Sequence, residues 1–108
     1  MSYKVFSIPL FDKQAKRLAK KYPSLKTELA VLIEAIRSEP MLGKALGSNF
    51  YKIRLAISSK GKGKSGGARV ITYLKITQNI VYLVQIYDKA EMAAISDKEL
   101  EQLFNKIP

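Results

Sequence analysis

The chain has 108 residues, 47% of them hydrophobic, with 19 lysines and arginines against nine acidic residues and a net charge of +10. That length supports one modest core, so residues 1–108 are expected to form a single domain. Cysteine and histidine are absent, which excludes disulfides, thiolate chemistry and the commonest general base and metal ligand, and points to a reducing, cytoplasmic setting without a metal site. No apolar run reaches membrane-spanning length, and the opening MSYKVFSIPLF is too short and polar for a signal peptide.

In chain order, residues 3–8 (YKVFSI) read as a first strand stopped by Pro9. Asp12 opens a helical pattern with Phe11, Ala15, Leu18, Ala19 and Tyr22 on one face and lysines and Arg17 on the other. Pro23 ends it. Ser24 can cap a second helix, in which Leu25, Leu29, Leu32, Ile33 and Ile36 recur with a 3.6-residue period up to Glu39-Pro40. Two amphipathic helices joined this tightly predict an antiparallel helical hairpin.

After a glycine-containing link, 41–49, the period changes to two. In FYKIRLAI (50–57), Tyr51, Ile53, Leu55 and Ile57 share one face, while Phe50, Lys52, Arg54 and Ala56 share the other. Strands ARVITYLKI (68–76) and IVYLVQIY (80–87) flank a Thr-Gln-Asn turn and read as a β-hairpin. Ser96 and Glu99 carry the capping-box signature ahead of Leu100, Leu103 and Phe104, a short last helix. The order β-α-α-β-β-β-α predicts an α+β domain, an antiparallel sheet with the helical hairpin packed on one face. On the other face one alternating set runs through Arg69, Ile71, Tyr73 and Lys75, and another through Val81, Leu83, Gln85, Tyr87 and Lys89.

Charge is unevenly distributed. Between Glu39 and Asp88 every charged residue is basic: Lys44, Lys52, Arg54, Lys60, Lys62, Lys64, Arg69 and Lys75. Fields of one sign attract polyanions, which points to nucleic acid. Gly63-Lys64-Ser65 looks like the end of a nucleotide-binding P-loop, but the glycine required at position 58 is a serine and a strand follows instead of a helix. Both requirements of the motif fail, which argues against nucleotide binding of that kind. The stretch SSKGKGKSGGARVI (58–71) reads instead as a long loop whose Lys60, Lys62 and Lys64, together with Lys75, are candidate contacts to a nucleic-acid phosphate backbone.

The ordered set "FYKIRL", "GKSGGARVITY", "QIYDKAE" and "ISDKELEQL" resembles the RelE/HigB/ParE superfamily of type II toxin–antitoxin toxins, closest to its RelE/HigB side. The similarity runs from the second strand to the C-terminus. It implies a RelE-like fold and a ribosome-dependent endoribonuclease that cuts mRNA without a metal or other cofactor, with the ribosome, mRNA and a cognate antitoxin as partners. By that resemblance Lys52, Arg54, Arg69, Tyr87 and Lys89 are the candidate catalytic residues. Ala90 and Met92 stand where the family can carry further arginines, and the terminal helix has no tyrosine, so Tyr87 is the substitute aromatic. A ParE-like gyrase inhibitor without nuclease activity shares the fold but has no need of the cation cluster. A non-catalytic RNA-binding module would call for more aromatic residues on the sheet.

Overall fold

In the computed structural model, which describes residues 2–60, 66–92 and 94–108, the chain opens with strand β1 (Lys4–Ser7) and helix α1 (Pro9–Lys21). Pro9 does not merely stop the strand. It occupies the first helical turn, where its missing N–H costs nothing, so the helix begins three residues before Asp12. Helix α2 (Leu25–Ser38) follows after Tyr22, Pro23 and Ser24. Four further strands are β2 (Lys44–Gly47), β3 (Phe50–Leu55), β4 (Ala68–Lys75) and β5 (Ile80–Asp88), and helix α3 (Asp97–Phe104) ends the fold. Ser96 Oγ accepts from the Glu99 N–H, and the Glu99 side chain accepts from the Ser96 N–H, so the capping box is present.

The α+β class stands, with two differences of detail. The sheet has five strands in the order β1-β5-β4-β3-β2, and β1 lies parallel to β5, so it is mixed. Strand β2 pairs antiparallel with β3 through a tight hairpin whose central residues Ser48 and Asn49 have φ of 52° and 68°. Positive φ at both central positions is what a strand-compatible two-residue turn requires. The four residues of β2 are mostly exposed, so no apolar alternation marks them as a strand.

Helices α1 and α2 cover one face of the sheet. Phe11 and Leu18 of α1 and Leu25, Leu32 and Ile36 of α2 are buried in a common core with Ile53, Leu55, Val70, Leu74, Val81, Leu83 and Ile86. The opposite face is not wholly open. Helix α3 crosses one end of it, where Phe104 meets the Tyr73 ring at 5.6 Å and Tyr73 meets Phe50 at 5.1 Å.

Strand β5 departs from simple alternation. Ile71 pairs with Gln85 but Thr72 pairs with Leu83, leaving Val84 as an extra residue in a β-bulge. Gln85 and Tyr87 therefore share a face with Arg69 and Ile71, whereas Val81 and Leu83 pair with Leu74 and Thr72 on the helix side. The single alternating set from Val81 to Lys89 is thus split by the bulge. The split turns Tyr87 toward the cations while β5 still fills the core.

Candidate functional site

Strand pairing assembles the site. Arg54 of β3 lies opposite Arg69 of β4, and Arg69 lies opposite Tyr87 of β5. The adjacent row is Lys52, Ile71 and Gln85. Side chains two apart on a strand share a face, so Lys52, Arg54, Arg69 and Tyr87 project from one side of the sheet. Lys44 of β2 pairs across from Lys52 and adds a cation that the sequence reading did not single out. Its signal was hidden because β2 itself was.

Burial differs sharply along the row. Arg54 is exposed and Lys52 half-buried, whereas Arg69 and Tyr87 are only 4% and 5% accessible. Arg69 Nη1 donates to the Ala68 carbonyl at 3.1 Å, which fixes the plane of the guanidinium. Gly67 makes this approach possible: a Cβ there would run into the Leu55 carbonyl oxygen, so only glycine lets the start of β4 close on the end of β3.

Two groups are electrostatically displaced. Burial pushes the Lys52 ammonium below the ordinary lysine value, and the like charges of Lys44, Arg69, Arg54 and Lys89 push it further the same way. Four cations thus act on Lys52 at this end of the sheet. Burial raises the Tyr87 phenol above its usual value, and Glu99 adds to this while Arg69 opposes it. Tyr87 is therefore a neutral hydroxyl at physiological pH, a potential donor. That hydroxyl is buried and has no hydrogen-bond partner among the described residues. A buried hydroxyl left unpaired is costly, and the Thr72 hydroxyl shares that condition. Glu99, fixed by the capping box at the start of α3, is the carboxylate that acts on this hydroxyl.

The other expected RNA contacts fall elsewhere. Lys62 and Lys64 lie outside the described residues. Lys75 is at the far end of β4 from Arg69, and its Nζ donates to the Pro108 carbonyl at 3.1 Å. Lys60 needs correction as a loop contact: its side chain is 11% accessible and forms an ion pair with Asp88 beside the Tyr22 ring. The physical reason is a buried carboxylate 28 residues away in sequence that requires a partner.

Asp88 itself is 1% accessible. Burial would raise its pKa, but hydrogen bonds from Lys60, the Ala90 N–H and the Tyr22 hydroxyl, with the Lys60 charge, hold it at about 2. Its folded value lies below the unfolded one, so its stabilisation is present above about pH 4 and is lost as pH falls toward 2. The contribution at neutral pH is about 2 kcal/mol. Asp88→Asn should remove that acid-dependent part of the stability curve, as read by denaturant unfolding between pH 2 and 7.

No helix among the described residues is long and apolar enough to cross a membrane. Among solved structures, the chain is similar to the E. coli toxin RelE, determined in the free state with two arginine-to-alanine substitutions. The TM-score is 0.63 at 16% identity, covering 98% of this chain and 94% of that one, which establishes likeness of fold. The family model for the RelE toxin of the RelE/RelB toxin–antitoxin system matches residues 4–107. Matched from the first residue of β1 to its penultimate residue, the chain belongs to the RelE toxin family.

Proposed function

We propose that this toxin is an endoribonuclease that cuts mRNA on the ribosome. The observation that carries the reading is the cross-strand row Arg54–Arg69–Tyr87 beside Lys52, a lysine already displaced toward its neutral form. RNA supplies its own nucleophile. The 2′-oxygen forms a bond to the adjacent phosphorus, the bond to the 5′-oxygen breaks, and the products are a 2′,3′-cyclic phosphate and a 5′-hydroxyl. Lys52 in its neutral form takes the 2′-hydroxyl proton. Arg69 and Arg54 hold the phosphoryl oxygens as charge builds, a task that suits a permanently ionised planar fork. Tyr87, as the protonated phenol, gives its proton to the departing 5′-oxygen, which leaves as the 5′-hydroxyl. The proton held by Lys52 returns to Tyr87 through solvent, and Lys89 adds positive charge just past the end of β5. The chemistry needs no metal in this reading, because both the nucleophile and the charge stabilisation are supplied otherwise.

The partners are the ribosome, mRNA and a cognate antitoxin, and the reaction is cytoplasmic. A site of cations without a histidine pair leaves strand positioning to the ribosome. Cleavage of mRNA in a reconstituted translation system, with naked RNA cut poorly, is the expected result. Intact mRNA alongside inhibited gyrase would transfer the chain to the ParE-like class.

Lys52 gives the reading a pH signature. The rate should rise with pH toward a pKa below that of an ordinary lysine. Lys44→Gln removes the neighbouring charge with the largest effect on Lys52, so Lys52 regains basicity and the rising limb moves to higher pH. A single-turnover pH profile of both proteins checks this; an unmoved limb would exclude Lys52 as the base.

Lys62 and Lys64, in a glycine-rich stretch of sequence, are assigned to ribosomal RNA backbone, where recognition is by charge. Neutralising both should weaken ribosome binding and flatten its dependence on salt, since each phosphate contact adds to that slope. Binding titrations at several salt concentrations measure it.

A further inference from the structure

Outside the catalytic row, the described structure's most enclosed charge is Asp88, and the mechanism above makes no use of it. Three donors converge on its carboxylate, two of them from distant chain segments. Tyr22, at the C-terminal cap of α1, donates its hydroxyl at 2.8 Å. Lys60, in the turn after β3, forms the ion pair. The Ala90 N–H, just past β5, donates at 2.9 Å. The turn carrying Lys60 is itself tied to the start of α2: the Ser59 N–H donates to Ser24 Oγ at 3.0 Å and the Ser58 N–H to Glu28 Oε2 at 2.8 Å.

The location of this cluster gives it meaning. Asp88 stands between Tyr87 and Lys89 and pairs across the sheet with Ala68, the residue before Arg69. The Lys89 N–H in turn donates to the Gly67 carbonyl at 3.0 Å. Holding Asp88 therefore holds the ends of β4 and β5, and three candidate site residues are its neighbours or its partner's neighbour. Stability alone is a weak reason for such a cluster, because apolar side chains of similar volume fill a buried site as well as an ion pair does. What apolar packing lacks is direction. Three donors on one carboxylate fix its position and, through the backbone, the facing of Tyr87 and Arg69 on the opposite side.

We propose that Asp88, with Lys60 and Tyr22, is a positioning cluster for the cleavage reaction, fixing from the helix side the strand ends that present Arg69, Tyr87 and Lys89. This rests on the endoribonuclease reading above. None of the three touches RNA; they act through the residues beside them.

The decisive protein is the double variant Lys60→Met with Asp88→Leu, which replaces the pair by apolar groups without leaving either charge alone. The expected result is a cooperative melt at a modestly lower temperature, since the Tyr22 hydroxyl and the Ala90 N–H lose their acceptor. It comes with an unchanged KM for ribosome-bound mRNA and a kcat reduced about 10²-fold, the scale of effect that follows a displacement of about 1 Å. A folded double variant that cleaves at the unaltered rate would overturn the proposal. Should that variant not fold, Tyr22→Phe, which removes one hydrogen bond and keeps the ring, is expected to lower kcat several-fold with KM unchanged; full activity there overturns it equally. A second readout does not depend on cleavage. The NMR signal of the Arg69 side-chain N–H is expected to shift and lose order in either variant, and an unchanged signal counts against the cluster. If the unaltered protein cuts no mRNA, the endoribonuclease reading fails, while this spectroscopic result still decides whether the cluster positions Arg69.

Discussion

Replacing Arg69 by alanine should lower single-turnover cleavage about 10²–10³-fold, the usual loss when one preorganised charge stabiliser is removed. Arg69 is the best placed of the cations for that role. It is 4% accessible, sits centrally between Arg54 and Tyr87, and is held by its bond to the Ala68 carbonyl. A guanidinium positioned before substrate arrives need not reorganise as charge develops on the phosphorane. Arg69→Lys keeps the charge but loses the planar fork, so it should recover little of the rate. Circular dichroism and a thermal melt establish that each variant is folded. A folded Arg69→Ala protein with near-normal activity would remove this sheet face from consideration as the site.

Tyr87→Phe should separate catalysis from stability more cleanly. The hydroxyl is buried without a partner among the described residues, so its removal should leave the melting temperature unchanged or slightly raised. The rate should nonetheless fall by about 10²-fold, the lower end of the range for a lost general acid. Raised by burial, the phenol stays protonated at neutral pH, which is the form that can donate to a departing oxygen. Stability lost together with activity would instead make Tyr87 a packing residue.

Much of this candidate site was legible in the sequence because side chains alternate along a regular strand. Alternation in FYKIRL assigns Lys52 and Arg54 to one face, and β3 indeed presents Ile53 and Leu55 to the core and Arg54 to solvent. The capping box at Ser96 and Glu99 was equally direct, because both partners lie within one helical turn. What escaped depended on distant or weak signals. IVYLVQIY is apolar almost throughout, so nothing local revealed the extra residue at Val84 that divides its faces. Strand β2 is short and largely exposed, and β3 supplies its pairing partners, so Lys44 could not be placed beside Lys52. Lys60 looked like its glycine-flanked neighbours in sequence, yet Asp88 and Tyr22 hold it from two other elements. The parallel pairing of β1 with β5 joins opposite ends of the chain and leaves no local trace.

The central claim is that RNA is cut by its own 2′-hydroxyl in a site built from Arg54, Arg69, Tyr87 and Lys52. Its most direct test is the chemistry of the ends left on ribosome-bound mRNA by the unaltered toxin and by Arg69→Ala. The account predicts fragments ending in a 2′,3′-cyclic phosphate paired with fragments beginning in a 5′-hydroxyl, abundant with the unaltered protein and nearly absent with the variant. Fragments carrying a 5′-phosphate, or the same ends in equal yield from both proteins, would contradict it.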